Sequence, residues 1–224
     1  MRAPLFVVAF DHRTSLMASF FGVEGEPGPE DVARARLAKQ VTWEGVRRAL
    51  ETGAVEREHA AVLVDATYGL DVVRAAAAEG VRVAMPIEAS GQRELAFEDG
   101  GWKQRIAELR PTWVKVLVRY NPGDDGNANR RQRSKLREVR QRSRDTGLGF
   151  MLELLVPPTP AQLEAVGGDA ARFDLEVRPE LTTTAIGELR LDEIGADVWT
   201  LEGLERREDC VRVAEAAGAP CVVL

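Results

Sequence analysis

Residues 113–120 read WVKVLVRY. Their alternation puts Val114, Val116 and Val118 on one face of an extended segment and Lys115, Leu117 and Arg119 on the other. The valine face suits a helix layer. The cationic face points to an interior that contains polar groups. Six further short apolar runs share this character: LFVVAFD (5–11), AAVLVDA (60–66), VRVAMPIE (81–88), GFMLELLV (149–156), ADVWTLEG (196–203) and PCVVL (220–224). The segments between them carry helical periodicity and stop signals, such as Asp71–Glu79 closed by Gly80 and Asn129–Asp145 closed by Gly147. Strands buried on both faces and alternating with helices predict an α/β protein with a parallel sheet.

The ends of these strands choose among α/β folds. The first strand runs into DHRTSLMASFFG, with neither G-x-G-x-x-G nor a P-loop, which disfavours a nucleotide site. Polar residues instead close or lie within the strands: Asp11, Asp65, Glu88, Arg119, Glu153 and Glu202. A ring of functional groups at carboxyl ends predicts a (β/α)8 TIM barrel, one domain over residues 1–224. A closed barrel needs eight strands, and this sequence reaches only the seventh. Unless an eighth is supplied, the first and seventh strands expose edges that call for a partner, and a homo-oligomer or a swapped element is one remedy.

Composition narrows the partners. The 224 residues carry a net charge of −6, which provides no field to attract nucleic acid. Small molecules fit better. Asp11 and His12 interrupt the short apolar N-terminal run, and no segment approaches 18 apolar residues, so neither export nor membrane insertion is expected. Cys210 and Cys221 have no C-x-x-C spacing, which fits a reducing cytoplasm better than a zinc or disulfide scaffold.

Lys39, Lys103 and Lys135 fall on helical stretches and read as solvated charges, whereas Lys115 lies within an apolar strand. A buried ammonium costs several kcal/mol unless paired, and the same environment prepares an amine to attack or polarise a carbonyl. Glu153 in MLELLVP is its expected ion-pair partner and a candidate general acid or base. Asp11 and Glu88 are further strand-end carboxylates suited to contacting substrate. Arg119 and the loop that begins at Tyr120 and Asn121 suit an anionic or hydroxylated ligand. Alternation in ADVWTLEG points Thr200 inward beside Glu202. His59 precedes the second strand, at the stabilising end of a barrel. No cofactor is called for. A metal site would have to draw on Asp11, Asp65, Glu88, Glu153 and Glu202 without a histidine pair.

LFVVAFDHRTSL, VLVDATYG, MPIEASGQ, VKVLVRYNPGDD, FMLELLVPPT, FDLEVRPEL and ADVWTLEG occur in order. Together they resemble the aldolase-like barrel domain fused behind 5-dehydro-2-deoxygluconokinase of myo-inositol catabolism, and are distantly similar to class I tagatose-bisphosphate aldolases. The resemblance implies cleavage of a phosphorylated keto-sugar acid, 5-dehydro-2-deoxyphosphogluconate, to dihydroxyacetone phosphate and malonate semialdehyde. It implies Lys115, Glu153 and Asp11 as catalytic groups. Arg178, in FDLEVRPEL, joins Glu88, Arg119, Asn121, Thr200 and Glu202 as expected substrate contacts.

The departures from the family pattern bear on mechanism. The sixth strand of the family reads D-V-W-K-I-E-G, with the Schiff-base lysine where this chain has Thr200. The third strand end reads P-V-E-K-S-G-Q, with lysine where this chain has Ala89. A hydroxyl cannot condense with a ketone to an imine, so position 200 cannot perform the family's covalent step. The family also continues to an eighth strand, the region where barrels bind phosphate. The sequence therefore leaves two readings, an aldolase-type lyase with a non-standard site and a diverged barrel that binds a sugar-like ligand or a partner.

Overall fold

The computed structural model describes residues 4–224. Seven parallel strands follow the chain in the sheet order β1-β2-β3-β4-β5-β6-β7 and alternate with helices, which is the topology of the β/α-barrel class predicted above. Contacts divide the chain into two units. The first runs up to Gln92 and includes Ala96–Lys115. The second comprises Arg93–Leu95 and Val116–Leu224.

The first unit contains β1 (Phe6–Ala9), α1 (Pro29–Glu51), β2 (Ala60–Leu63), α2 (Ala66–Ala78), β3 (Arg82–Pro86), α3 (Trp102–Leu109) and the start of β4 (Trp113–Arg119). Its registers are in step: Ala9 pairs with Leu63, Leu63 with Ala84, and Pro86 with Lys115. Every residue of β2 is buried, as its unbroken apolar run requires of a strand covered on both faces. In β1, by contrast, Phe6 and Val8 remain 54% and 43% exposed.

α1 starts at Pro29, whose fixed φ suits a first helical position, and Asp31 accepts the Gly28 N–H at 3.1 Å. Ala35, Lys39, Trp43 and Val46 form its buried stripe. α2 is capped by Asp65, which accepts the Tyr68 N–H at 2.8 Å. Within α2 the helical geometry lapses at Gly69 (φ −110°, ψ 18°). A Cβ at Gly69 would lie 2.4 Å from Val64 Cγ2, so only glycine permits this approach of α2 to the end of β2. After β3, Glu88 and Phe97 form an antiparallel bridge that closes the excursion leading to α3.

The second unit contains the rest of β4, α4 (Gly126–Thr146), β5 (Gly149–Leu155), α5 (Pro160–Ala165), α6 (Ala170–Glu176), α7 (Arg178–Leu191), β6 (Val198–Leu201), α8 (Arg207–Ala217) and β7 (Cys221–Val223). The arginine-rich helix starts three residues before the predicted Asn129. Asp125 caps it through the Asn127 N–H at 2.8 Å, and Gly147 ends it in the left-handed region at φ 68°. Thr159 and Gln162 cap α5 reciprocally. β5 and β6 pair with Glu153 opposite Thr200.

Candidate functional site

The first unit gathers its candidate functional groups just beyond the carboxyl ends of β1 and β3 and on the first half of β4. Lys115 is in register with Pro86, so Glu88, two residues further along, lies on the same side. Asp11 stands two residues beyond the end of β1. The Lys115 ammonium donates to Asp11 Oδ2 at 3.0 Å and to Glu88 Oε1 at 2.9 Å, and is only 2% exposed. Glu88 Oε2 also accepts the Ile87 N–H at 3.2 Å. This is the geometry of an ammonium shared between two carboxylates carried by the segments that follow different strands.

Burial acts to raise the Asp11 pKa. The Lys115 charge and hydrogen bond, assisted by His12, outweigh burial and hold the carboxyl below its ordinary value.

A second ring of charge encloses the first. Arg13, 7% exposed, places Nη1 3.0 Å from Glu98 and Nη2 4.0 Å from Glu88. Burial works against its charge, yet Glu88 and Glu98 raise its pKa above the ordinary arginine value. Glu98 also accepts the Thr67 hydroxyl at 2.6 Å and pairs with Arg105 at 3.3 Å. Glu98 escaped the sequence reading, because the fold of the excursion after β3 brings it back and no local pattern announces it.

Lys39 is the clearest correction. Predicted as a solvated helix charge, it is 2% exposed, lies 2.6 Å from Asp65 Oδ2, and donates to the His12 carbonyl at 2.9 Å and to the Phe10 carbonyl. The signal was present in the spacing, since Lys39 shares a helical stripe with Ala35, Trp43 and Val46.

The second unit holds the remaining candidates. Glu153 and Thr200 are cross-strand partners, 8% and 5% exposed. Glu202 accepts the Val156 N–H at 2.8 Å and pairs with Arg178 at 3.4 Å, and Arg178 also pairs with Asp174. Arg119 ends β4 half-buried, and its carbonyl accepts from Gln132 at 3.0 Å. Asn121 is engaged within its loop: its amide donates to Pro157 O at 2.8 Å and to Gln162 Oε1 at 2.6 Å, and its oxygen accepts the Gly123 N–H at 2.8 Å. Those contacts shape the turn after β4. Glu56, Glu58 and His59 could together offer ligand atoms to a cation, but they sit before β2, whereas Asp65 follows it.

The fold is that of a β/α barrel, and the solved structures similar to it include aldolases. A solved Schiff base-forming fructose-1,6-bisphosphate aldolase is 12% identical, with a TM-score of 0.61 over 98% of this chain and 74% of that one. An archaeal fructose 1,6-bisphosphate aldolase is 13% identical, with a TM-score of 0.57 over 98% of this chain and 73% of that one. A protein from Corynebacterium glutamicum is 16% identical, with a TM-score of 0.58 over 98% and 68%. The chain belongs to the family described as "Uncharacterized protein conserved in bacteria (DUF2090)", whose model matches residues 1–185. No curated protein matches it in sequence. Among the described residues no helix is long and apolar enough to cross a membrane.

Proposed function

We propose that the protein is an aldolase-type carbon–carbon lyase acting on a small phosphorylated keto-sugar acid of the 5-dehydro-2-deoxyphosphogluconate kind, in the context of myo-inositol catabolism. The observation that carries this reading is the Lys115 ammonium held by Asp11 at 3.0 Å and Glu88 at 2.9 Å. In the cleavage, a carboxylate takes the proton of the hydroxyl β to the ketone. The carbon–carbon bond then breaks to release an aldehyde, and its electron pair moves onto the ketone oxygen as an enolate. The ammonium stabilises that oxygen, and a proton returned to carbon completes the ketone product. Asp11, kept ionised by Lys115, is suited to take the first proton.

Thr200 stands where the resembled family has its Schiff-base lysine, so the reaction is assigned a non-covalent course. Glu153 as an acid–base group, and Glu88, Arg119, Asn121, Arg178, Thr200 and Glu202 as substrate contacts, rest on the resemblance and the strand pattern. Cys210 and Cys221 are free thiols, in keeping with a reducing cytoplasm. Exposed Phe6 and Val8 are in keeping with a homo-oligomer, which sedimentation would test.

The deciding assay offers the keto-sugar acid phosphate with and without borohydride. Turnover with no trapped adduct is expected, along with survival of activity through prolonged chelation. An adduct on Lys115 would replace the electrostatic role with an imine. The replacement of two family lysines by Ala89 and Thr200 favours a second reading, a barrel that binds sugar phosphates without cleaving them. Calorimetric binding with no turnover would establish it.

A further inference from the structure

We infer that Lys39 is a positioning residue: anchored by Asp65, its ammonium holds the Phe10 and His12 carbonyls and so fixes where Asp11 presents its carboxylate to Lys115. The inference rests on the proposed function only in treating the Asp11–Lys115 pair as the reacting centre. An ammonium has three N–H donors, and Lys39 meets three acceptors: Asp65 Oδ2 at 2.6 Å, His12 O at 2.9 Å and Phe10 O.

The acceptors belong to two different segments, the end of β2 and the turn after β1, and the donor comes from the middle of α1. The β1–β2 ladder continues past Ala9 to the Phe10 N–H, which donates to Leu63 O at 2.9 Å. At Phe10 and His12 a side chain takes over the work of a neighbouring strand. The two carbonyls flank Asp11, so its backbone is held immediately before and after the functional side chain.

Stability alone gives little reason for this arrangement. Lys39 occupies an apolar stripe, and replacing a buried ion pair by well-packed apolar groups is often neutral or stabilising. What the lysine adds is a fixed path for the chain at the end of β1. The charged groups that act on Asp11 itself are Lys115 and His12. Arg13, the next residue, is tied separately to Glu98 and Glu88.

The test follows the Asp11 carboxyl by carbon-13 NMR titration, which needs no substrate. In Lys39→Met/Asp65→Asn, which removes both buried charges together, Asp11 should titrate measurably higher than in the wild type. In Asp65→Asn alone the amide oxygen can still accept from Lys39 and the carbonyl bonds survive, so Asp11 should titrate closer to the wild type than in the double variant. Should the Met variant not fold, Lys39→Gln in the same background decides by the same measurement. An unchanged Asp11 titration in a folded variant lacking Lys39 would overturn the inference. So would an equal rise in Asp65→Asn, because general loosening would then explain it. With the substrate above, kcat should fall roughly 10- to 100-fold in the Lys39 variant while KM stays within about twofold. Absence of turnover in the wild type would count against the proposed function and leave the titration result standing.

Discussion

The cluster around Lys115, drawn from β4 and the turns after β1 and β3, and the polar groups of β5 and β6 handle polar burial in different ways. In the first group an ammonium is enclosed by carboxylates from the turns after two other strands, and a buried arginine encloses one of those carboxylates in turn. In the second, a carboxylate stands opposite a hydroxyl, and the Arg178–Glu202 pair lies at the strand's edge. The lesson is that the chain keeps a balanced charge cluster in one region while pairing a carboxylate with the neutral Thr200 in the other. Under the proposed function, the step that needs a cation belongs with Lys115.

The strongest way to break this contrast is Lys115→Met. It strands two carboxylates that share one ammonium, and it should cost about 3–5 kcal/mol, read from urea unfolding, and abolish turnover. A loss below 1 kcal/mol would mean the cluster is not integrated as its geometry implies. Thr200→Lys probes the other region. It should cost roughly 1–3 kcal/mol and, in an aldolase-like site, create a borohydride-trappable amine. A folded variant that traps nothing favours the binding barrel.

Acid unfolding sharpens the comparison more gently. The Asp11 pKa is lower in the folded than in the unfolded chain, so its contribution to stability is fully present above the unfolded value of 3.8. That contribution is lost as pH falls through the lower folded value. Asp11→Asn should therefore flatten the stability slope in that acidic window, and an unaltered slope would contradict the pairing.

The smallest effect belongs to Tyr120. Its hydroxyl donates to Glu188 and accepts from Arg133. Burial, then the bond to Glu188, pushes its pKa up to about 12. A folded value above the unfolded 10.0 means that its contribution holds below pH 10.0 and fades as pH rises toward about 12. Tyrosinate absorbance should show this late step, and Tyr120→Phe should remove it while costing about 1 kcal/mol.

The sequence made some of this plain. Period-two alternation in WVKVLVRY identified Lys115, because a lysine between valines in a strand can only be buried or misplaced. Strand-end residues Asp11 and Glu88 followed from the topology alone. Lys39 reads as solvated because charge on a helix usually means solvent, whereas its spacing with Ala35, Trp43 and Val46 turns it inward. Glu98 could not have been found, since it reaches the cluster through the Glu88–Phe97 bridge, which joins residues nine apart in a loop without periodicity.

Gly69 gives the arrangement an unexpected dependence. The missing methyl group lets α2 close on Val64, and Asp65, the next residue, both caps that helix and anchors Lys39. Gly69→Ala would wedge the helix outward at its first turns. The disturbance would pass through Asp65 and Lys39 to the carbonyls around Asp11 without altering any charged residue. The electrostatics at the end of β1 are thus set partly by a steric vacancy on a helix that contributes no side chain to the Lys115 carboxylate pair.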